Sequence, residues 1–167
     1  MAKKAEVFEI TRQIGIDAGH RIPDHKSKCK NLHGHRYEVF ATAVGELVTE
    51  GSETGMVTDF SFLKEMMMKT VDETFDHGLI LYYGDIVLMR MMDHPLYTKT
   101  YAEVKRGAIV PLLLVDFGKV IVIPVVPTAE NLARLWYEMI AREMQLDGVQ
   151  ARLKSVKVFE TPNCSAL

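Results

Sequence analysis

Apolar and polar residues alternate from Glu6 to Ala18, with Val7, Glu9 and Thr11 on one parity and Phe8, Ile10 and Arg12 on the other. A period of two with β-branched and aromatic residues predicts a strand. The same alternation returns from His35 to Leu47 and predicts a second strand paired with the first. Between them, Gly19 to Leu32 carries Pro23, Asp24, Asn31 and a run of basic residues, and reads as a loop. After a turn at Gly51 to Gly55, the period lengthens. Phe60, Leu63, Met67 and Val71 recur at helical spacing behind Asp59, a good N-cap, so a helix is expected that ends before Asp76. A second helix is expected from about Thr128, where Leu132, Leu135, Trp136, Met139 and Ile140 form one apolar stripe. Arg152 to Glu160 alternates again and predicts a closing strand.

The span from Leu79 to Pro127 is long for a connection between two helices. It holds a short amphipathic piece (Asp85 to Asp93) and a polar stretch (Thr98 to Arg106). A hairpin is also expected there, with Leu112 to Val115 and Val120 to Ile123 flanking a turn at Asp116, Phe117, Gly118 and Lys119. The order strand, strand, helix, insert, helix, strand defines an α+β class.

Composition narrows the field. At 167 residues and 48% hydrophobic, the chain can bury a core as one domain without a structural metal, so any metal it binds is expected to serve chemistry. A net charge of -2 gives no electrostatic case for nucleic acid. The longest apolar run, Ile109 to Pro127, is broken by Pro111, Asp116, Gly118, Lys119 and Pro124, so no membrane span is expected. The two lysines near the start precede no apolar stretch, so no secretory signal is expected. A cytoplasmic location follows as the expectation, with Cys29 and Cys164 as free thiols.

Three histidines carry the candidate chemistry. In an extended segment, residues two apart point the same way, so His33 and His35 can aim at one point across Gly34. His20, at the end of the neighbouring strand, can supply a third nitrogen. Three neutral imidazoles with an open fourth position describe a catalytic zinc site, with iron or another divalent ion as alternatives. His-Gly-His alone is a weak pattern, since such histidines are often solvated loop residues.

Cys29 lies among Lys26, Lys28 and Lys30, four residues before His33. Positive charge and a nearby metal favour the thiolate, and a thiolate there is a credible base or nucleophile. Asp76 and His77 follow the first helix. Adjacent Asp and His do not normally bond each other, and alone the pair reads as a polar helix end. Glu130 alone reads as dipole compensation in a first helical turn. Glu160, at a strand end, can bind a guanidine-like edge of paired N–H donors, such as a pterin ring presents.

Assembled, these pieces resemble the family of 6-pyruvoyltetrahydropterin and 6-carboxytetrahydropterin synthases. The matching segments are DAGHRIPDH at 17–25, CKNLHGHRYEV at 29–39, GMVTDFSFLK at 55–64, FDHGLI at 75–80, PTAENLA at 127–133 and VFET at 158–161. The resemblance implies that His20, His33 and His35 hold Zn2+, and that Cys29 works with Asp76 and His77. It also implies that Glu160 anchors a pterin ring, with Thr128 and Glu130 as further pocket residues. The implied fold is the tunnelling fold, an antiparallel four-stranded sheet with two helices on one face, here with an insert at about 81–126. The implied assembly is a homohexamer, a dimer of trimers with sites between subunits. The short gap from Cys29 to His33 resembles the carboxy-forming branch, which takes 7,8-dihydroneopterin triphosphate to 6-carboxy-5,6,7,8-tetrahydropterin in queuosine biosynthesis. That reaction releases acetaldehyde and triphosphate. Formation of 6-pyruvoyltetrahydropterin is the alternative, and an inactive metal-stabilised assembly protein is an alternative of another class. The chain departs from the family in its long insert and in stopping soon after Glu160, with Pro162 where extended chain is usual.

Overall fold

The computed structural model describes residues 6–91, 97–114 and 117–167. Strands β1 (Phe8–His20) and β2 (His33–Gly45) pair antiparallel along their whole length, with Phe8 opposite Gly45 and His20 opposite His33. Helix α1 (Phe60–Met67) begins at Asp59, whose carboxylate accepts the Ser61 amide at 2.6 Å. It runs through one π turn (Met68–Asp72) into the short α2 (Glu73–Phe75). After β3 (Gly78–Tyr82) come α3 (Ile86–Met91), α4 (Tyr97–Lys105), β4 (Val110–Leu114) and β5 (Gly118–Ile123). The chain closes with α5 (Ala129–Leu146), β6 (Arg152–Thr161) and β7 (Cys164–Ala166).

The strands form one seven-stranded sheet in the order β4-β5-β3-β1-β2-β6-β7. This corrects the expected four-stranded antiparallel sheet. The segment at 81–126 is no appendage, because three strands between Gly78 and Ile123 extend the sheet beyond β1. The pairings β1 with β3 and β3 with β5 are parallel, so the sheet is mixed. A strand buried on both faces loses the period of two, which is why β5 reads as a plain apolar run. Ile121 and Ile123 enter the main core with Ile16, Val39, Leu63, Leu132 and Trp136, between the sheet and helices α1 and α5. Val120 and Val122 point the other way, into a second core with Leu81, Leu88, Met89 and Val104 that α3 and α4 cover.

The polar stretch Thr98 to Arg106 is therefore mostly helix. Thr100 and Val104, one turn apart, are buried, while Lys99, Lys105 and Arg106 are exposed. Asp93 and the expected turn residue Asp116, with Val115, lie outside the described residues. At the other end, β6 turns back at Pro162 into β7 instead of running on. Among the described residues no helix is long and apolar enough to cross a membrane.

Candidate metal centre

On β1, Ile14, Ile16, Ala18 and His20 face the helices; on β2, His33, His35, Tyr37 and Val39 do. The register sets Ala18 opposite His35 and Ile16 opposite Tyr37, so the three histidines gather on the helix side at one end of the strand pair. Their ring centroids are 4.6, 5.2 and 4.9 Å apart, and one nitrogen from each lies within 4.8 Å of the others. Glycine suits the close approach. A Cβ on Gly34 would lie 3.1 Å from the Ala18 carbonyl oxygen, tighter than side chains normally tolerate.

The hydrogen bonds fix which nitrogens are free. His20 Nδ1 donates to the Pro127 carbonyl at 2.7 Å, and His33 Nδ1 donates to the Asn31 carbonyl at 2.8 Å. A carbonyl only accepts, so both Nδ1 atoms carry the proton and both Nε2 atoms keep a lone pair. This is the outer hydrogen bonding that orients metal-ligating histidines. Among the described residues, the buried His20 Nε2 has no hydrogen-bond partner. An orphaned buried nitrogen costs about 1–3 kcal/mol, which a bound cation would offset. Burial holds the His20 imidazole below its ordinary pKa, against the pull of the Pro127 carbonyl and Glu160, and His33 and His35 push it the same way as burial. His35 is lowered too, by burial first. Neutral imidazoles are the form that binds a metal. The donor set fits a divalent ion with nitrogen ligands.

Glu160 sits beside this cluster. Its Oε1 is 3.4 Å from His20 Nε2 and 3.9 Å from His35 Nε2. The buried Tyr37 hydroxyl donates to the same oxygen at 3.4 Å, and burial, then the Glu160 charge, keeps that hydroxyl protonated by raising its pKa. Tyr37 was missed in the sequence, although it follows His35 by two residues and must share its face.

Asp76 and His77 correct one expectation, since they bond each other directly, Nδ1 to Oδ2 at 2.6 Å. His77 itself adopts a left-handed backbone, φ 54°. The other Asp76 oxygen accepts the Asp17 amide at 2.8 Å, and the His77 amide donates to the Asp17 carbonyl at 2.7 Å. The pair is thus docked on β1. His77 lines a cleft of about 590 Å³ with Asp17, Arg36, Leu79 and Phe117, a cleft that His35 also reaches.

Cys29 lies half-buried in a single helical turn (Lys28–Lys30) on the loop joining His20 to His33, with exposed lysines around it. It is not among the three clustered ligands. Cys164 is exposed. Thr128 caps α5 by accepting the Asn131 amide at 3.3 Å, directly after the Pro127 carbonyl that holds His20. Glu130 stands apart, lining a different cavity with Arg134, Tyr137, Lys154 and Ser155.

A mixed sheet with a trihistidine cluster at its strand ends presents three residues that could hold a metal ion, and sequence comparison gives the family. The family model described as 6-pyruvoyl tetrahydropterin synthase matches residues 9–167. The 6-carboxy-5,6,7,8-tetrahydropterin synthase of Rickettsia bellii is 34% identical over 158 residues, covering 95% of this chain and 97% of the relative. The protein of the same name from Haemophilus influenzae is 29% identical, covering 93% and 94%. The chain belongs to the 6-pyruvoyl tetrahydropterin synthase family. The fold agrees. An uncharacterized protein of Wolinella succinogenes superposes with a TM-score of 0.76 at 24% identity over 97% of both chains. The 6-pyruvoyl tetrahydropterin synthase of Caenorhabditis elegans gives 0.61 at 22%, over 98% of this chain and 95% of that one.

Proposed function

We propose that this chain is a zinc-dependent lyase that converts 7,8-dihydroneopterin triphosphate to 6-carboxy-5,6,7,8-tetrahydropterin, releasing acetaldehyde and triphosphate. The observation that carries the reading is the trihistidine cluster with Glu160 at its side and an unpartnered His20 Nε2 within it. The names of the bacterial relatives support the carboxy-forming product. His20, His33 and His35 would hold the ion, which when bound supplies a positive charge for oxygen atoms of the substrate side chain.

The chain's own residues do the rest. Glu160 accepts paired hydrogen bonds from the guanidine-like edge of the pterin, and Tyr37 steadies the carboxylate from behind. Thr128 and Glu130 act as further pocket residues, Glu130 toward a neighbouring copy, since it lies away from the histidines of its own chain. Cys29, as thiolate, takes the carbon-bound proton. His77 is its acid–base partner: Asp76 accepts from Nδ1 and leaves Nε2 facing outward to exchange a proton. Lys26, Lys28, Lys30 and Arg36 are the candidates to offer positive charge to the departing triphosphate.

The reading extends to a single tunnelling-fold domain in a homohexamer with sites between subunits, working in the cytoplasm in queuosine biosynthesis. Edge strands β4 and β7 at the two ends of the sheet are suited to pairing between copies.

The test is to incubate zinc-loaded protein with 7,8-dihydroneopterin triphosphate and measure acetaldehyde. Acetaldehyde in step with triphosphate supports the carboxy product. Triphosphate alone assigns 6-pyruvoyltetrahydropterin instead, and neither product leaves a metal-stabilised assembly protein. A Cys29→Ala variant should keep zinc and lose turnover.

A further inference from the structure

Arg21 follows His20 directly, where β1 ends and the Cys29 loop begins. Its guanidinium grips Asp85 with two bonds, Nε to Oδ2 at 2.5 Å and Nη2 to Oδ1 at 2.6 Å. The remaining nitrogen, Nη1, reaches back across the loop to the Lys30 carbonyl at 3.4 Å, next to Cys29. Asp85 is only 2% exposed and is held on its own side as well. Its Oδ1 accepts the Leu88 amide at 3.2 Å at the start of α3, and its amide donates to the Tyr82 carbonyl at 2.9 Å. The loop is closed on itself by the Ile22 amide, which donates to the Cys29 carbonyl at 2.9 Å.

We propose that Asp85, acting through Arg21, is a positioning residue that ties the Cys29 turn to the segment between β3 and α3. The proposal rests on the assignment of Cys29 as the catalytic thiol. Both carboxylate oxygens of Asp85 are engaged, so the guanidinium has one orientation, and its third nitrogen is delivered to the loop backbone. A lysine could satisfy the charge of Asp85 but has no planar fork with which to hold two partners at fixed angles. A buried ion pair contributes little net stability compared with apolar packing, so its use here is geometric. Asp85 belongs to the segment that the sequence marks as an insert, which gives that segment a role at the site.

Trypsin reports the loop directly, because Lys26, Lys28 and Lys30 are exposed on it. Asp85→Asn in the full-length, zinc-loaded protein should raise the rate of nicking at those lysines about tenfold. With 7,8-dihydroneopterin triphosphate, kcat should fall about tenfold while KM moves less than twofold, because a displaced thiol weakens the reacting geometry and not pterin binding. Zinc content should not change. If Asp85→Asn does not fold, Arg21→Lys carries the same two readouts. Nicking at the wild-type rate in a folded variant overturns the tie, and faster nicking with unchanged kcat overturns its positioning role. Full turnover by Cys29→Ala overturns the assignment of Cys29, and the positioning role with it, whatever the nicking rate.

Discussion

His20 and Pro127 are 107 residues apart in sequence, yet the imidazole Nδ1 of one meets the carbonyl oxygen of the other at 2.7 Å. The bond joins the end of the first strand to the residue just before the cap of helix α5. It fixes the tautomer of the most buried histidine of the cluster, and so decides which nitrogen a cation can reach. His33 is oriented in the same way by a carbonyl of its own loop.

Removing one imidazole should abolish tight metal binding while leaving the sheet in place. His33→Ala is the cleaner choice, since His20 is buried and its loss also opens a cavity. Zinc affinity measured by calorimetry should fall by at least about a hundredfold. In the parent protein, excess zinc should raise the melting temperature by the linkage expected of a ligand that binds only the folded state, about 2.7 kcal/mol at a hundred times Kd. EDTA should reverse it.

Gly34→Ala should act on the same centre through the backbone. Its Cβ would sit 3.1 Å from the Ala18 carbonyl oxygen, so β1 and β2 must part by a few tenths of an ångström between His33 and His35. A loss of about 1–2 kcal/mol in urea unfolding is expected, together with weaker zinc binding. Unchanged affinity would show that the strand pair has more slack than the contact implies.

His77→Gly separates strain from chemistry. The left-handed backbone at φ 54° suits glycine, so the substitution should leave the melting temperature within a few degrees of the parent although it deletes the bond to Asp76. Turnover should nevertheless fall at least about tenfold. A variant that keeps full turnover would remove His77 from the mechanism.

Asp76 gives a pH dependence of definite sign. Burial would raise its pKa, but the Asp17 amide, His77 and Lys119 outweigh burial and hold it below the ordinary carboxylate value. The folded state therefore binds this proton less readily than the unfolded chain. Its contribution is complete above about pH 4, the unfolded carboxylate range, and is lost as pH falls through the lower folded value. Asp76→Asn should flatten the acid limb of a melting-temperature titration in that window. An unaltered slope would mean that the bonds to Asp17 and His77 do not favour the charged form.

Much of this site was legible because its information is local. His33 and His35 stand two apart in an alternating strand, and that alone sends them to one side. The N-cap Asp59, and the apolar stripe through Trp136, likewise announce the two expected helices. What stayed hidden depends on pairing between distant segments. Nothing in the sequence says that β3 joins β1 in parallel, or that Val120 and Ile121 face two different cores, because burial on both sides erases the alternation that marks a strand. Asp85 reads as one polar residue opening an amphipathic piece until Arg21 is brought against it. The positive φ of His77, beside its bond to Asp76, is a backbone state that few non-glycine residues adopt and that no sequence pattern marks.

The two covers on β5 also divide the sheet into regions with different freedom to change. On β2, Glu38 lies open on the side away from the helices, so a new side chain can be tried there without disturbing the histidines on the other face. On β5, Val120 through Ile123 are all enclosed, and each replacement must match a volume on one side or the other. Variation in this protein should therefore collect on the outer surface of the β1–β2 pair, while the strand farther along the sheet stays nearly fixed.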